Sequence, residues 1–142
     1  MSFVWDEVRA AAAADASLVV LDDVAAHDLA ERVRQTFVAD ARANWWWESL
    51  RGKSEWLHYE ELLGGLELLR ARIEREPAVN LLVTDDEAEP RGVVVGTGAA
   101  ILRLLAETPT FEFAMSDPEV RWLILDTHHN DLVLVGDVPP PA

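Results

Sequence analysis

The residues best suited to chemistry lie together late in the sequence, where Asp126, His128, His129 and Asp131 fall within six positions. Imidazole and carboxylate groups can bind Zn²⁺ or exchange protons with a substrate. Adjacent histidines point to opposite faces of an extended chain, so only a tight turn would bring both to one ligand. We therefore interpret the segment first as a turn between two strands, in which Asn130 and Asp131 tolerate a left-handed backbone. Contact with a partner protein and a metal or catalytic site are the alternatives.

Four of the six tryptophans lie close together in the middle of the chain. If this stretch forms two short strands, Trp45 and Trp47 share one face and Trp46 takes the other, while Trp56 lies beside His58. A helix over the three consecutive tryptophans is the alternative. Core packing explains most of these rings, but three large side chains in a row cannot all enter one core face. We expect at least one to be partly exposed and to anchor a partner.

A predicted loop carries four carboxylates within five residues, those of Asp85, Asp86, Glu87 and Glu89. Oxygen ligands of this kind bind Ca²⁺ or Mg²⁺, but the spacing of an EF-hand is absent. The simpler interpretation is a solvated loop. A cluster of charge also speeds the approach of an oppositely charged protein, so the loop is a candidate contact site for a basic partner.

The glycines at positions 96 and 98 imitate a dinucleotide-binding motif. They follow an apolar strand and precede a helix, as glycines that admit a pyrophosphate do. The third glycine of that motif is replaced by Ile101. The segments that follow predict an antiparallel meander rather than a second strand–helix–strand unit. We therefore expect an ordinary helix start, and we predict no cofactor.

The charge balance limits the classes of partner. Twelve basic residues against 26 acidic ones give a net charge of −14 over 142 residues, the size of one domain. Such a surface repels the phosphates of nucleic acids and anionic lipid headgroups. It suits a basic protein partner. We therefore expect neither nucleic acid nor membrane as a partner, while the oligomeric state stays open.

The chain contains no cysteine, which excludes disulfide bonds and thiolate chemistry and favours a cytoplasmic location. Its first residues lack the basic and apolar regions of a signal peptide. No apolar run reaches the roughly 18 residues of a membrane span.

Hydrophobic periodicity predicts an α+β domain over residues 1–137, followed by a disordered proline-rich tail at 138–142. Leu29, Val33 and Phe37 form one core-facing helical stripe. The expected architecture is an antiparallel meander sheet with N-terminal helices and one inserted helix packed on one face. The predicted helices cover about 2–14, 22–44, 61–76 and 97–107, and the predicted strands about 18–21, 79–84, 92–95, 111–115, 120–126 and 132–135, with two more between 45 and 59.

Several short motifs follow one another in a recognisable order. They are Trp45-Trp46-Trp47-Glu48, Leu81–Asp86, Gly96-Thr97, Phe111-Glu112-Phe113 and a final stretch from Trp122-Leu123 through His128-His129-Asn130-Asp131 to Gly136. Over about residues 40–137 the series resembles a widespread group of small uncharacterised bacterial proteins with W-W-E and W-L-x-x-x-x-H-H-(N/D) motifs. Val93–Val95 differs from the aromatic residues that the group often has at that place. The resemblance implies a shared fold and an immunity-like, protein-neutralising role, and it carries no mechanism.

The small size, the acidity and the surplus of tryptophan predict a protein-binding module rather than an enzyme, and specifically an immunity-like inhibitor of a basic partner. The candidate contact residues are Trp45, Trp46, Trp47, Trp56, His58, Asp85, Asp86, Glu87, Asp126, His128, His129 and Asp131. We assign no catalytic, cofactor or metal residue. The alternative is a small enzyme or metal-binding protein that uses the aspartates and histidines of the cluster at 126–131.

Overall fold

The computed structural model describes residues 3–40, 42–43, 45–84, 89–108, 111–127 and 129–142, without the side chains of residues 3 and 62. Helices and strands alternate irregularly along the chain, as an α+β protein requires. The helices are α1 (Phe3–Ala13), α2 (Asp23–Phe37), α3 (Leu62–Ile73) and α4 (Gly98–Glu107). The strands are β1 (Leu18–Val20), β2 (Ser54–His58), β3 (Val79–Val83), β4 (Gly92–Gly96), β5 (Phe113–Ser116), β6 (Trp122–Asp126) and β7 (Asp131–Gly136).

The seven strands form one sheet in the order β1-β4-β3-β5-β6-β7-β2, and every neighbouring pair is antiparallel. The α+β class and the antiparallel sheet predicted from the sequence are thereby confirmed. Strands β5, β6 and β7 form the meander, because each is joined to the next by a short turn. Strand β2 departs from sequence order, because it comes from the first half of the chain but forms the edge of the sheet beside β7.

Both faces of the sheet are covered by helices. The larger core lies against α1, α3 and α4 and includes Val8, Ile73 and Ile101. The smaller core lies on the opposite face against α2 and includes Leu29 and Val33. The arrangement therefore differs from the predicted one-sided packing. Strands β3 and β6 are buried along their whole length, and a strand buried on both faces needs cover on both sides.

The segment around Gly98 forms a packed helix start and not a nucleotide site. Strand β4 lies between β1 and β3 with antiparallel pairing on both sides. The hydroxyl oxygen of Thr97 caps α4 by accepting from Ala100 N at 3.1 Å. The N–H of Gly98 donates to the carbonyl oxygen of Glu76 at 2.9 Å. A side chain at Gly98 would collide with the carbonyl oxygen of Ile73, so the glycine serves the close contact between α3 and α4.

The structure differs from the sequence prediction between α2 and β2. Helix α2 ends at Phe37, and the chain then turns to pair with a later segment: Ala39 N donates to Ser49 O, and Arg51 N donates to Phe37 O. The three consecutive tryptophans enter a short 3₁₀ turn at Trp46–Glu48, so this stretch contains one strand rather than two.

The C-terminal segment that we expect to be a disordered tail contacts α3. The N–H of Ala142 donates to the carbonyl oxygen of Ala71 at 2.8 Å, and a guanidinium N–H of Arg72 donates to that of Pro139 at 3.3 Å. A groove of about 620 Å³ lies between this segment and α3. Among the described helices, none is long and apolar enough to cross a membrane.

Candidate functional site

Several strand ends gather polar residues at one end of the sheet. Strands β2, β3 and β6 end there, and β5 and β7 begin there. Antiparallel pairing brings residues together that are far apart in sequence. The residues are His58, Tyr59, Glu112, Asp126 and Asp131, and we call this region the polar end of the sheet.

Tyr59 and Asp126 form the buried part of the polar end. The Tyr59 hydroxyl group donates to the Asp126 carboxylate, with distances of 3.1 and 3.0 Å to its two oxygens, and both residues are buried. Helix α3 positions the tyrosine, because a Cβ at Gly65 would lie only 3.1–3.2 Å from the Tyr59 ring carbons. Glycine at this position therefore lets the ring lie close against the first turns of the helix.

The buried environment of Asp126 changes the pKa of its carboxyl group. Burial raises the pKa of Asp126 to about 7; the nearby carboxylates of Glu112 and Asp131 act in the same direction, and the Tyr59 hydrogen bond opposes them. Burial and the charge of Asp126 in turn raise the pKa of Tyr59 above its ordinary value, so the phenol stays protonated as a donor. Such a carboxyl group can serve as a general acid or base.

His58 and Asp131 form the exposed part of the polar end. They are cross-strand partners, and the imidazole Nδ1 lies 3.0 Å from an Asp131 carboxylate oxygen. The imidazole Nε2 lies 3.5 Å from a Glu60 carboxylate oxygen. The His58 side chain is 57% exposed, so it is open to a partner.

The sheet separates the two parts of the polar end. Asp126 pairs across the ladder with Leu132, whose side chain belongs to the larger core. Asp131 precedes Leu132 and therefore faces the α2 side, as does its partner His58. The charge of Asp131 therefore acts on the pKa of Asp126, although the two side chains lie on opposite faces of the sheet and do not point into one pocket.

Between β6 and β7, the described residues on either side of position 128 make the contacts of a turn. The Thr127 hydroxyl oxygen accepts from His129 N at 3.1 Å and from Asp131 N at 3.4 Å. Asn130 has a left-handed backbone, with φ of 60°. His129 is exposed at the tip of the turn. His128 lies outside the described residues, as do Asp85, Asp86 and Glu87 of the predicted acidic loop.

The four clustered tryptophans have different environments. Trp46 is 6% exposed and belongs to the core beneath α2. Trp45 and Trp47 stack on each other, with ring centroids 5.7 Å apart. Trp56 is 48% exposed on β2, and its indole N–H donates to the Ser54 hydroxyl oxygen at 3.1 Å. Of the four, Trp56 is the most exposed, while Trp45 and Trp47 are partly buried.

Tyr59 and Glu112 are absent from the candidate contact residues predicted from the sequence. Glu112 lies between Phe111 and Phe113, where strand alternation suggests a solvated carboxylate, yet it is buried. The glycine pair at the start of α3 was the available signal for Tyr59, because consecutive glycines in a helix indicate close approach by another group. Within the described residues, no group of three or more His, Asp or Glu side chains is arranged to hold a metal ion.

Comparison with known proteins places the chain in an uncharacterised group. Residues 15–140 match the model of a family described as a family of unknown function, DUF6756. The match begins earlier in the chain than the motifs noted in the sequence. No curated protein matches the chain.

Proposed function

Since the chain belongs to the family of unknown function DUF6756, we propose its function from its own surface: it is an acidic protein-binding module that binds a basic partner protein. One observation carries the proposal. Trp56 is 48% exposed on β2, and tryptophan often anchors protein interfaces. The same strand carries His58, whose imidazole contacts the carboxylates of Glu60 and Asp131. A large exposed aromatic ring beside carboxylates favours a partner with cationic side chains.

The distribution of charge supports a basic partner. At least six arginines pair with carboxylates of the same chain, while the net charge remains −14. The field that a partner meets is therefore negative, and it raises the rate of association with a basic protein. We propose that binding neutralises the partner, in keeping with the immunity-like role that the sequence resemblance implies.

Affinity capture from the native host tests this proposal. The full chain is immobilised, and captured proteins are identified and then titrated as purified proteins. We expect a basic protein whose affinity falls at least about tenfold with Trp56→Ala, the loss of an interface anchor. Val24→Ala is the matched control, because Val24 is also apolar and is 72% exposed on α2. Equal binding by wild type and Trp56→Ala would contradict the proposal.

A second candidate, a small enzyme or metal-binding protein at the cluster 126–131, is favoured by one observation: burial brings the pKa of Asp126 to about 7, beside the Tyr59 hydroxyl group. Calorimetric titration of the full chain with Zn²⁺ tests its metal form. This candidate predicts binding that is lost with His129→Ala and with Asp126→Asn. Absence of heat, or equal binding by all three proteins, would contradict the metal-binding form of this candidate.

A further inference from the structure

We propose that the partner contributes an extended basic segment that adds to β2 as an eighth strand of the sheet. This inference rests on the proposed protein-binding function and specifies how binding occurs. Strand addition uses the backbone groups of a free sheet edge for affinity and the alternating side chains for specificity.

The hydrogen-bond pattern shows which backbone groups of β2 face outward. Tyr59 N donates to Asn130 O at 2.9 Å, in register with the β2–β7 ladder. Bonded and non-bonded pairs alternate in an antiparallel ladder. Leu57 therefore bonds to β7 like Tyr59, whereas the N–H and C=O groups of Trp56 face away from the sheet. By the same alternation, those of Ser54 and His58 also face outward.

An independent contact on the other side of β7 supports this pattern. Thr127 N donates to Asp131 O at 3.0 Å, so Asp131 bonds toward β6. Adjacent residues of a central strand bond to opposite neighbours. Leu132 of β7 then bonds toward β2, where its partner is Leu57. The Tyr59–Asn130 and Thr127–Asp131 hydrogen bonds therefore both indicate that the backbone groups of Ser54, Trp56 and His58 face away from the sheet.

The outer edge of β2 is open within the described part of the chain. Strand β2 ends the sheet order, and four of its five residues are exposed. In that same part of the chain, no backbone group of another segment bonds to the outward groups of Ser54, Trp56 and His58. Natural edge strands are usually protected by charged side chains, proline, bulges or very short length; of these, β2 carries only the carboxylate of Glu55. Strand β2 has an uninterrupted five-residue register without proline, whereas the opposite edge strand, β1, has three residues.

The side chains of β2 indicate the sequence of the added strand. On the face that carries Trp56 and His58, the neighbouring carboxylates of Glu60 and Asp131 favour arginine or lysine, which also binds the indole face. On the opposite face, Leu57 is half-buried against the larger core. A segment that alternates basic and β-branched residues satisfies both faces.

A second copy of the chain fits this edge less well. Each copy carries a net charge of −14. Pairing two β2 strands would bring Glu55 and Glu60 of both copies to one seam, and like charges across a seam oppose association. Charge complementarity therefore selects a basic segment from another protein.

Peptide binding to the ¹⁵N-labelled full chain tests the inference. The probe is a capped peptide of alternating arginine and valine, about eight residues long, which exceeds an ordinary strand. At about 0.15 M salt, we expect it to slow hydrogen exchange of the Ser54, Trp56 and His58 amides at least about tenfold, as pairing of exposed amides does. The same peptide N-methylated at its arginines keeps its charge and loses the row of donors that faces β2 when the strand adds antiparallel, as every pair in the sheet does. We expect it to bind at least about tenfold more weakly, because strand addition depends on main-chain bonds; equal binding by both peptides would overturn strand addition.

A matched pair of variants tests the strand itself. Ser54→Pro removes an outward N–H, a change that edge strands tolerate, while Ser54→Ala removes only the hydroxyl group. Both variants lose the hydroxyl group that accepts from Trp56, so we expect Ser54→Pro to bind the peptide more weakly than Ser54→Ala does. If Ser54→Pro fails to fold, the two peptides on the wild-type chain decide the question.

The outcomes separate this inference from the proposed function. Binding of a basic partner with no protection of the β2 amides overturns strand addition and leaves the protein-binding function intact. If the chain captures no basic partner, the proposed protein-binding function is contradicted. Protection of the β2 amides that grows with concentration of the chain alone would assign the edge to a second copy and overturn the inference.

Discussion

The Tyr59 hydroxyl group lies 3.1 and 3.0 Å from the two carboxylate oxygens of Asp126, across 67 residues of sequence. Both side chains are buried at the polar end of the sheet. This hydrogen bond joins the residue that follows β2 to β6, and β2 and β6 are not neighbours in the sheet. It therefore connects the edge strand to the sheet interior by a side-chain contact as well as through β7.

Removal of the hydroxyl group in Tyr59→Phe should raise the pKa of Asp126 further. The hydrogen bond lowers this pKa against the effect of burial, so its loss favours the protonated carboxyl group. We also expect the free energy of unfolding above neutral pH to fall by about 1–3 kcal/mol, because a buried acceptor loses its donor. NMR titration of the Asp126 carboxyl carbon and urea denaturation measure the two effects. An unchanged or lowered pKa would contradict the assignment of the hydrogen bond.

Asp126 should make the chain less stable as the pH rises. Its pKa is about 7 in the folded chain and about 3.9 when unfolded. Between these values the folded state holds a proton that the unfolded state lacks, so the stabilisation is fully present below about pH 4 and is lost as the pH rises through about 7. We expect the unfolding free energy of wild type, relative to Asp126→Asn, to fall by roughly 1 kcal/mol per pH unit across this window.

Urea denaturation across about pH 4 to 8 measures that difference. Asp137→Asn is the control, because Asp137 is an exposed aspartate outside the polar end. Parallel curves for wild type and Asp126→Asn would show that Asp126 ionises normally in the folded chain.

The two glycines at the start of α3 should respond differently to alanine. A Cβ at Gly64 would lie 3.7 Å from Tyr59, an ordinary contact, whereas one at Gly65 would lie 3.1 Å from ring carbons. Alanine is favoured over glycine in helices by up to about 1 kcal/mol. We expect Gly64→Ala to raise the melting temperature and Gly65→Ala to lower it, because the ring must move. An equal rise for both would indicate that Tyr59 has room to shift.

The tryptophans should separate into core and surface groups. Trp46→Ala should lower the unfolding free energy by about 3–5 kcal/mol, since it empties a buried site. Trp56→Ala should change it by less than about 1 kcal/mol, because nearly half of this side chain is exposed. Urea denaturation compares the two variants with wild type. A large loss with Trp56→Ala would contradict its role as a free anchor.

The sequence predicts the helices and strands better than it predicts which of them pack together. The stripe of Leu29, Val33 and Phe37 predicts α2 and its buried face, and all three residues are buried. The same stripe cannot indicate which face of the sheet the helix covers. Apart from Asn80 in β3 and Asp126 in β6, these two strands contain only apolar residues, and a nearly continuous apolar run favours cover on both sides.

The candidate site depends on contacts that local patterns do not encode. Asp126 and His58 stand out in the sequence, but their partners Tyr59 and Asp131 lie 67 and 73 residues away. These pairs exist only because β2 crosses to the far edge of the sheet. Register between distant strands is set by the packing of the whole sheet, so short motifs could not predict it.

The position of β2 has a consequence for biosynthesis. Its ladder partner is β7, and His58 meets Asp131 only after 73 further residues have been made. At about 5–20 residues per second, the ribosome needs several seconds to supply them. Throughout that interval β2 and Trp56 lack the strand that will hold them, so the nascent chain passes through a stage in which both edges of β2 are open to other polypeptides.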